Sequence, residues 1–156
     1  MTATKASHSG PQSATGLARR TTIGVLVAVM LVLLAQSLVG VLGLEVGPIG
    51  PQTPFNVGPL VTSAVAAGVG AAVVYALLDR LTATPNRNFV VTSAVVFVLL
   101  LVPVVTLAPA MGVTPLGQVV LAVYHVLVAV PLVLVVAGGV TTRIWPEFAT
   151  SYTEER

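Results

Sequence analysis

The side chains with chemical potential are few, and the most unusual is His125. It is the one ionisable group, tyrosines aside, that stands deep inside a long apolar run, with Tyr124 beside it. An imidazole in such a place can relay a proton or touch a ligand; as a neutral ring it can instead donate one hydrogen bond that ties two helices together. Gln36 lies at a matching depth in another apolar run: it is eight residues from Leu44 as His125 is from Gly117, about 12 Å in each case at 1.5 Å per residue. Two prolines add acceptors. Pro103 leaves the carbonyl of Leu99 without its helical donor, and Pro131 does the same for Leu127. His125, Gln36 and Tyr124 are therefore the candidate intramembrane polar contacts, with His125 expected to bond to Gln36 or to a freed carbonyl.

What is missing narrows the chemistry. None of the apolar runs holds Asp or Glu, the carboxylates on which proton- and cation-coupled transport generally depends. One histidine cannot make a zinc site, which wants three or four ligands, and there is no cysteine to serve as a thiolate ligand, a nucleophile or a disulfide partner. No serine, histidine and carboxylate set, paired acids or phosphate-binding glycine loop gathers on one side. The expectation is a protein that is not an enzyme and has no cofactor and no metal.

The elements that carry these residues follow from composition. Of 156 residues, 56% are hydrophobic and only 8% charged, against about 25% charged in a soluble domain; mean hydropathy is +1.00. A water-facing surface cannot be made from this chain. Seven basic and five acidic residues leave a net charge of +2 and no basic stripe, so nucleic acid is excluded as a partner. Charge-free runs span residues 21–44, 57–78, 89–107 and 116–140. Each meets the ~20 residues needed to cross a hydrocarbon core of about 30 Å. They lack the alternation of barrel strands, and a lone strand in lipid would leave its backbone unpaired, so they are helices. The first run is too long for the apolar core of a signal peptide and closes on no small-residue cleavage pattern, so it reads as a retained span.

Short connections, Glu45–Asn56 and Ala108–Pro115 rich in proline and Asp79–Asn88 between them, make consecutive helices antiparallel neighbours. The expected fold is an all-α membrane protein, an up-down four-transmembrane-helix bundle over residues 21–140. A disordered cytoplasmic tail, 1–20, precedes it and a cytoplasmic C-terminal tail, 141–156, follows. Lys5, Arg19, Arg20, Arg80, Arg87, Arg143 and Arg156 all fall on one side of this arrangement, and the other two connections have no Lys or Arg. The positive-inside rule makes that side cytoplasmic, which puts both termini inside and the chain in the cell membrane as a multi-pass protein. Tyr75, Phe89 and Trp145 fall near the inner boundary and Phe55 near the outer one, where aromatic anchors are expected. Ala64, Gly68 and Ala72 form a small-residue seam for close helix packing. Thr62, Ser63, Thr92 and Ser93 are expected to bond to their own helix backbones.

The run Asn56-Val57-Gly58-Pro59-Leu60, then Ala76-Leu77-Leu78-Asp79-Arg80-Leu81-Thr82, resembles the middle of the four-span family known as domain of unknown function 6069. The likeness continues through Pro85, Arg87 and Phe89 and into Leu121-Ala122-Val123-Tyr124-His125-Val126-Leu127-Val128-Ala129, covering roughly residues 20–140. The family more often has Met where Tyr124 stands and Glu where Asp79 stands. The resemblance implies a four-span membrane protein and carries no activity with it. The partners expected are the lipid bilayer and either a second copy or another membrane protein. The role is structural or accessory; the alternative is a small oligomeric transporter or channel with a polar layer around His125 and Gln36.

Overall fold

The computed structural model describes residues 14–48 and 50–138. Four α-helices follow one another: α1 Ala14–Val41, α2 Val57–Leu81, α3 Pro85–Thr106 and α4 Pro115–Val136, with a short 3-10 turn at Pro109–Met111. All four are long and apolar enough to cross a membrane, and no strand occurs among the described residues. At 1.5 Å per residue even the 22-residue α3 and α4 reach about 33 Å, enough for the hydrocarbon core.

The helix ends differ from the ends of the apolar runs, because a charge marks where hydrocarbon stops and a cap marks where a helix stops. α1 begins at Ala14 and carries Arg19 and Arg20 as helical residues, so residues 14–20, expected to belong to a disordered tail, are part of the first helix. It stops at Val41, short of Leu44, because Gly43 adopts a left-handed φ of 60°. The Leu44 and Gly43 amides then bond back to the Val39 and Gly40 carbonyls, the paired bonds by which a glycine closes a helix. α2 runs on through Asp79 and Arg80 to Leu81, and α3 starts at Pro85, whose missing N–H costs nothing in a first turn. α4 ends at Val136, ahead of Gly138 with its φ of 78°. The rest of the expected N-terminal tail (residues 1–13), the C-terminal tail and Trp145 lie outside the described residues.

α4 is the most enclosed helix and α3 the least: 39% of the apolar window of α4 is buried against 11% for α3. α1 packs most extensively on α4 and then on α2, while α3 leans more lightly on α4 and α2. Small residues let the three inner helices approach. A β-carbon on Gly68 of α2 would collide with Val25 of α1 and sit 3.6 Å from Leu132 of α4; one on Gly24 of α1 would meet the same Leu132 at 3.3 Å. Ala64, one turn from Gly68, is buried as well. The small-residue seam of α2 thus faces inward, where backbone proximity replaces the hydrophobic effect that lipid does not supply.

The remaining core divides toward the two ends of the bundle. At the end nearer Glu45, Val39, Val46, Phe55, Leu60, Val120, Leu121 and Tyr124 cluster; at the end nearer Arg20, Tyr75, Phe89 and Val136 do. Three of the aromatic residues expected as lipid-interface anchors, Phe55, Tyr75 and Phe89, are inside these clusters instead. Phe55 is buried, and Tyr75 and Phe89 meet edge to face with ring centroids 5.3 Å apart, a favoured aromatic geometry. The outward surface is a coat of half-exposed Leu and Val, including Leu34, Val69, Val98 and Val119.

Candidate functional site

The interior polar groups come from α1 and α4. Tyr124 Oη donates to Gln36 Oε1 at 2.6 Å and so joins the two helices that pack most closely. Tyr124 is almost fully buried. An unpaired polar group in such a place is expensive, and here each hydroxyl and amide oxygen satisfies the other.

His125 takes neither of the partners expected of it, Gln36 or a carbonyl freed by a proline. Its Nδ1 lies 2.7 Å from the carbonyl of Leu121, one turn back on its own helix. The bond to Gln36 goes to the adjacent Tyr124. The Leu121 carbonyl can only accept, so Nδ1 carries the proton; in the neutral ring that leaves Nε2 as a bare acceptor. Nε2 makes no hydrogen bond among the described residues.

The half-buried His125 lines a cleft of about 640 Å³ between α2, α3 and α4, which Tyr124 also lines and Gln36 does not. The walls are almost wholly apolar: Ala66, Ala67, Gly70 and Ala71 from α2, Val96, Phe97 and Leu100 from α3, Val128 and Leu132 from α4. Polar atoms enter from Ser63, Thr92, Ser93, Tyr124 and His125. Thr62 and Ser63 do bond to their own helix, at the carbonyls of Gly58 and Leu60. Thr92 and Ser93 do not; their hydroxyls are unengaged among the described residues.

A second cavity, about 510 Å³, opens at the Glu45 end and is lined by Gln36, Gly40, Gly43, Glu45, Phe55 and Thr114. Gln36 lines this cavity and Tyr124 the first, so their hydrogen bond links side chains that border different cavities.

Each end of the bundle is fastened by groups that sequence reasoning passed over. Thr114 caps α4 by accepting from the Gly117 amide at 3.0 Å, donates its hydroxyl to the Glu45 carbonyl at 2.7 Å, and offers its own amide to Val46. A threonine directly before Pro115 was the available signal, since Thr suits an N-cap and Pro the first helical position. Gly117 lies so near the Val46 carbonyl that a β-carbon could not fit. At the other end Tyr75 Oη donates to Asn86 Oδ1 at 2.7 Å, across the connection from α2 to α3. The charges of Asp79 and Arg20 both reach that hydroxyl, and Arg20 also lies against Gly138 at the end of α4. Among the described residues, no three His, Cys, Asp or Glu side chains come together as a metal-binding group.

Four apolar helices, fastened at both ends and cross-linked by a buried tyrosine–glutamine pair, define a multi-pass helical membrane protein. Residues 12–142 match the Family of unknown function (DUF6069), and the chain belongs to that family. No curated protein and no solved structure matches it.

Proposed function

We propose that the protein is a non-catalytic structural or accessory component of the cell membrane, acting by association with a second copy or with another membrane protein. Both termini face the cytoplasm, and nucleic acid is no partner. The observation that carries this reading is the use of the interior polar groups. Tyr124 and Gln36 bond to each other and His125 Nδ1 bonds to its own helix, so these side chains work as fasteners between and within spans. The orientation rests on Arg19, Arg20, Arg80 and Arg87 at one end of the bundle against Glu45 at the other.

The test is cross-linking at native expression level in intact membranes, followed by mild detergent extraction and mass spectrometry. A stoichiometric membrane partner, or a discrete homo-oligomer, is the expected result. A chain that remains monomeric and alone before and after extraction contradicts the proposal.

The second reading, a small oligomeric transporter or channel, draws on one observation: Gln36 and Tyr124, which bond to each other, line two different cavities. It predicts proton or solute flux into proteoliposomes that rises when Tyr124→Ala removes the bond to Gln36. Fluxes equal to those of empty liposomes in both proteins reject it.

A further inference from the structure

The cleft between α2, α3 and α4 has a shape and a polarity that constrain what fills it. On α2 its lining extends from Pro59 to Val74, about 22 Å along the helix axis, so its ~640 Å³ is spread along a narrow slot. This is within the roughly 300–1,000 Å³ of sites that hold one small molecule. The polar atoms gather near the middle of the slot. Counted from Pro115, His125 lies about 15 Å down α4, and Ser93 lies about 12 Å up the equally long α3 from Pro85. Both are far from the headgroup layers.

An ordinary acyl chain would fill the space and leave the His125 Nε2 lone pair and the Thr92 and Ser93 hydroxyls without partners in hydrocarbon, which is unfavourable. A phospholipid headgroup cannot descend to that depth. The Nδ1 bond to Leu121 fixes the missing complement: Nε2 accepts, so the ligand must donate. We propose that this cleft binds a neutral single-chain alcohol, whose O–H donates to His125 Nε2 near mid-bilayer, whose oxygen accepts from Thr92 or Ser93, and whose chain lies along the slot. The inference is independent of the accessory role and of transport, since it concerns only what occupies the cleft.

The full chain in phosphatidylcholine nanodiscs, photolabelled with a diazirine-bearing hexadecanol, tests this. Label is expected on the cleft faces of α2, α3 and α4, saturably. Unlabelled hexadecanol competes about 5- to 10-fold better than its methyl ether, the factor for one hydrogen bond. His125→Phe, which keeps the ring and removes the acceptor, lowers the alcohol to the level of the ether. Gly70→Leu excludes both; Gly70 lines the cleft and nothing lies within 4 Å of a β-carbon built on it, so the larger side chain enters empty space. Should His125→Phe fail to fold, the imidazole ¹⁵N signals of the otherwise unchanged His8→Ala protein serve instead: Nε2 shifts with hexadecanol and stays with the ether. Equal competition by alcohol and ether, a preference that survives His125→Phe, an unmoved Nε2 signal, or label confined to other faces or to a second copy's helix overturns the proposal.

Discussion

Deleting the Tyr124 hydroxyl probes the bundle at its deep cross-link. Tyr124→Phe keeps the buried ring and its contacts in the cluster around Leu121 and Phe55 and removes only the donor to Gln36. Interhelical hydrogen bonds in membranes contribute about 0.6 kcal/mol on average and up to about 1.7. The 2.6 Å distance and the near-complete burial of Tyr124 place this one in the upper part of that range. Tyr124→Phe is therefore expected to cost about 1 kcal/mol, and Gln36→Leu about the same. The double variant should lose little more than either alone, with a coupling of about 1 kcal/mol. The assay is reversible unfolding in mixed micelles by titration with sodium dodecyl sulfate, followed by helical circular dichroism. A parallel cycle with His125→Phe and Gln36→Leu should be additive within about 0.5 kcal/mol, because His125 spends its proton on Leu121. Zero coupling between Tyr124 and Gln36, or coupling that moves to His125, refutes the assignment of partners.

Three further substitutions check the ends of the bundle by the same titration. Thr114→Ala removes the cap on α4 and its bond to the Glu45 carbonyl and should cost about 1–2 kcal/mol. Gly117→Ala forces a methyl against the Val46 carbonyl; overpacking of this kind costs roughly 1–3 kcal/mol, and a neutral result would mean that α1's exit does not press on α4. The Thr21 hydroxyl is buried and has no partner among the described residues. Thr21→Val should be neutral or stabilise by up to about 1 kcal/mol, since it replaces an unsatisfied group by an apolar one of the same shape. A loss above that size would show that the hydroxyl is bonded after all.

The four spans were legible because lipid imposes a requirement that composition records directly: long charge-free stretches and nothing else to satisfy the backbone. Their ends were less so, since Gly43, Gly138 and Pro85 stop or start helices by backbone geometry, independently of where charges fall. The depth of Gln36 and His125 followed from a count along each helix, and the structure puts Gln36 level with residue 124. Azimuth did not follow. One residue is about 100° of rotation, enough to turn Tyr124 toward Gln36 of α1 while His125 bonds within its own helix and lines the cleft. Tyr75 and Phe89 illustrate a related ambiguity: an aromatic residue near a boundary reads the same from sequence whether it faces headgroups or a neighbouring helix. The cleft itself had no linear signature, because it depends on how lightly α3 rests against α2 and α4.

All of this depends on four crossings that return both chain ends to one side. The chain has no cysteine, so single cysteines can be placed at will: Gln52→Cys in the connection after α1, and Ala83→Cys between α2 and α3. Labelling intact cells with a membrane-impermeant maleimide should modify the first at once and the second only after the membrane is opened. Equal modification of both in sealed cells, or protection of both until lysis, would contradict the topology.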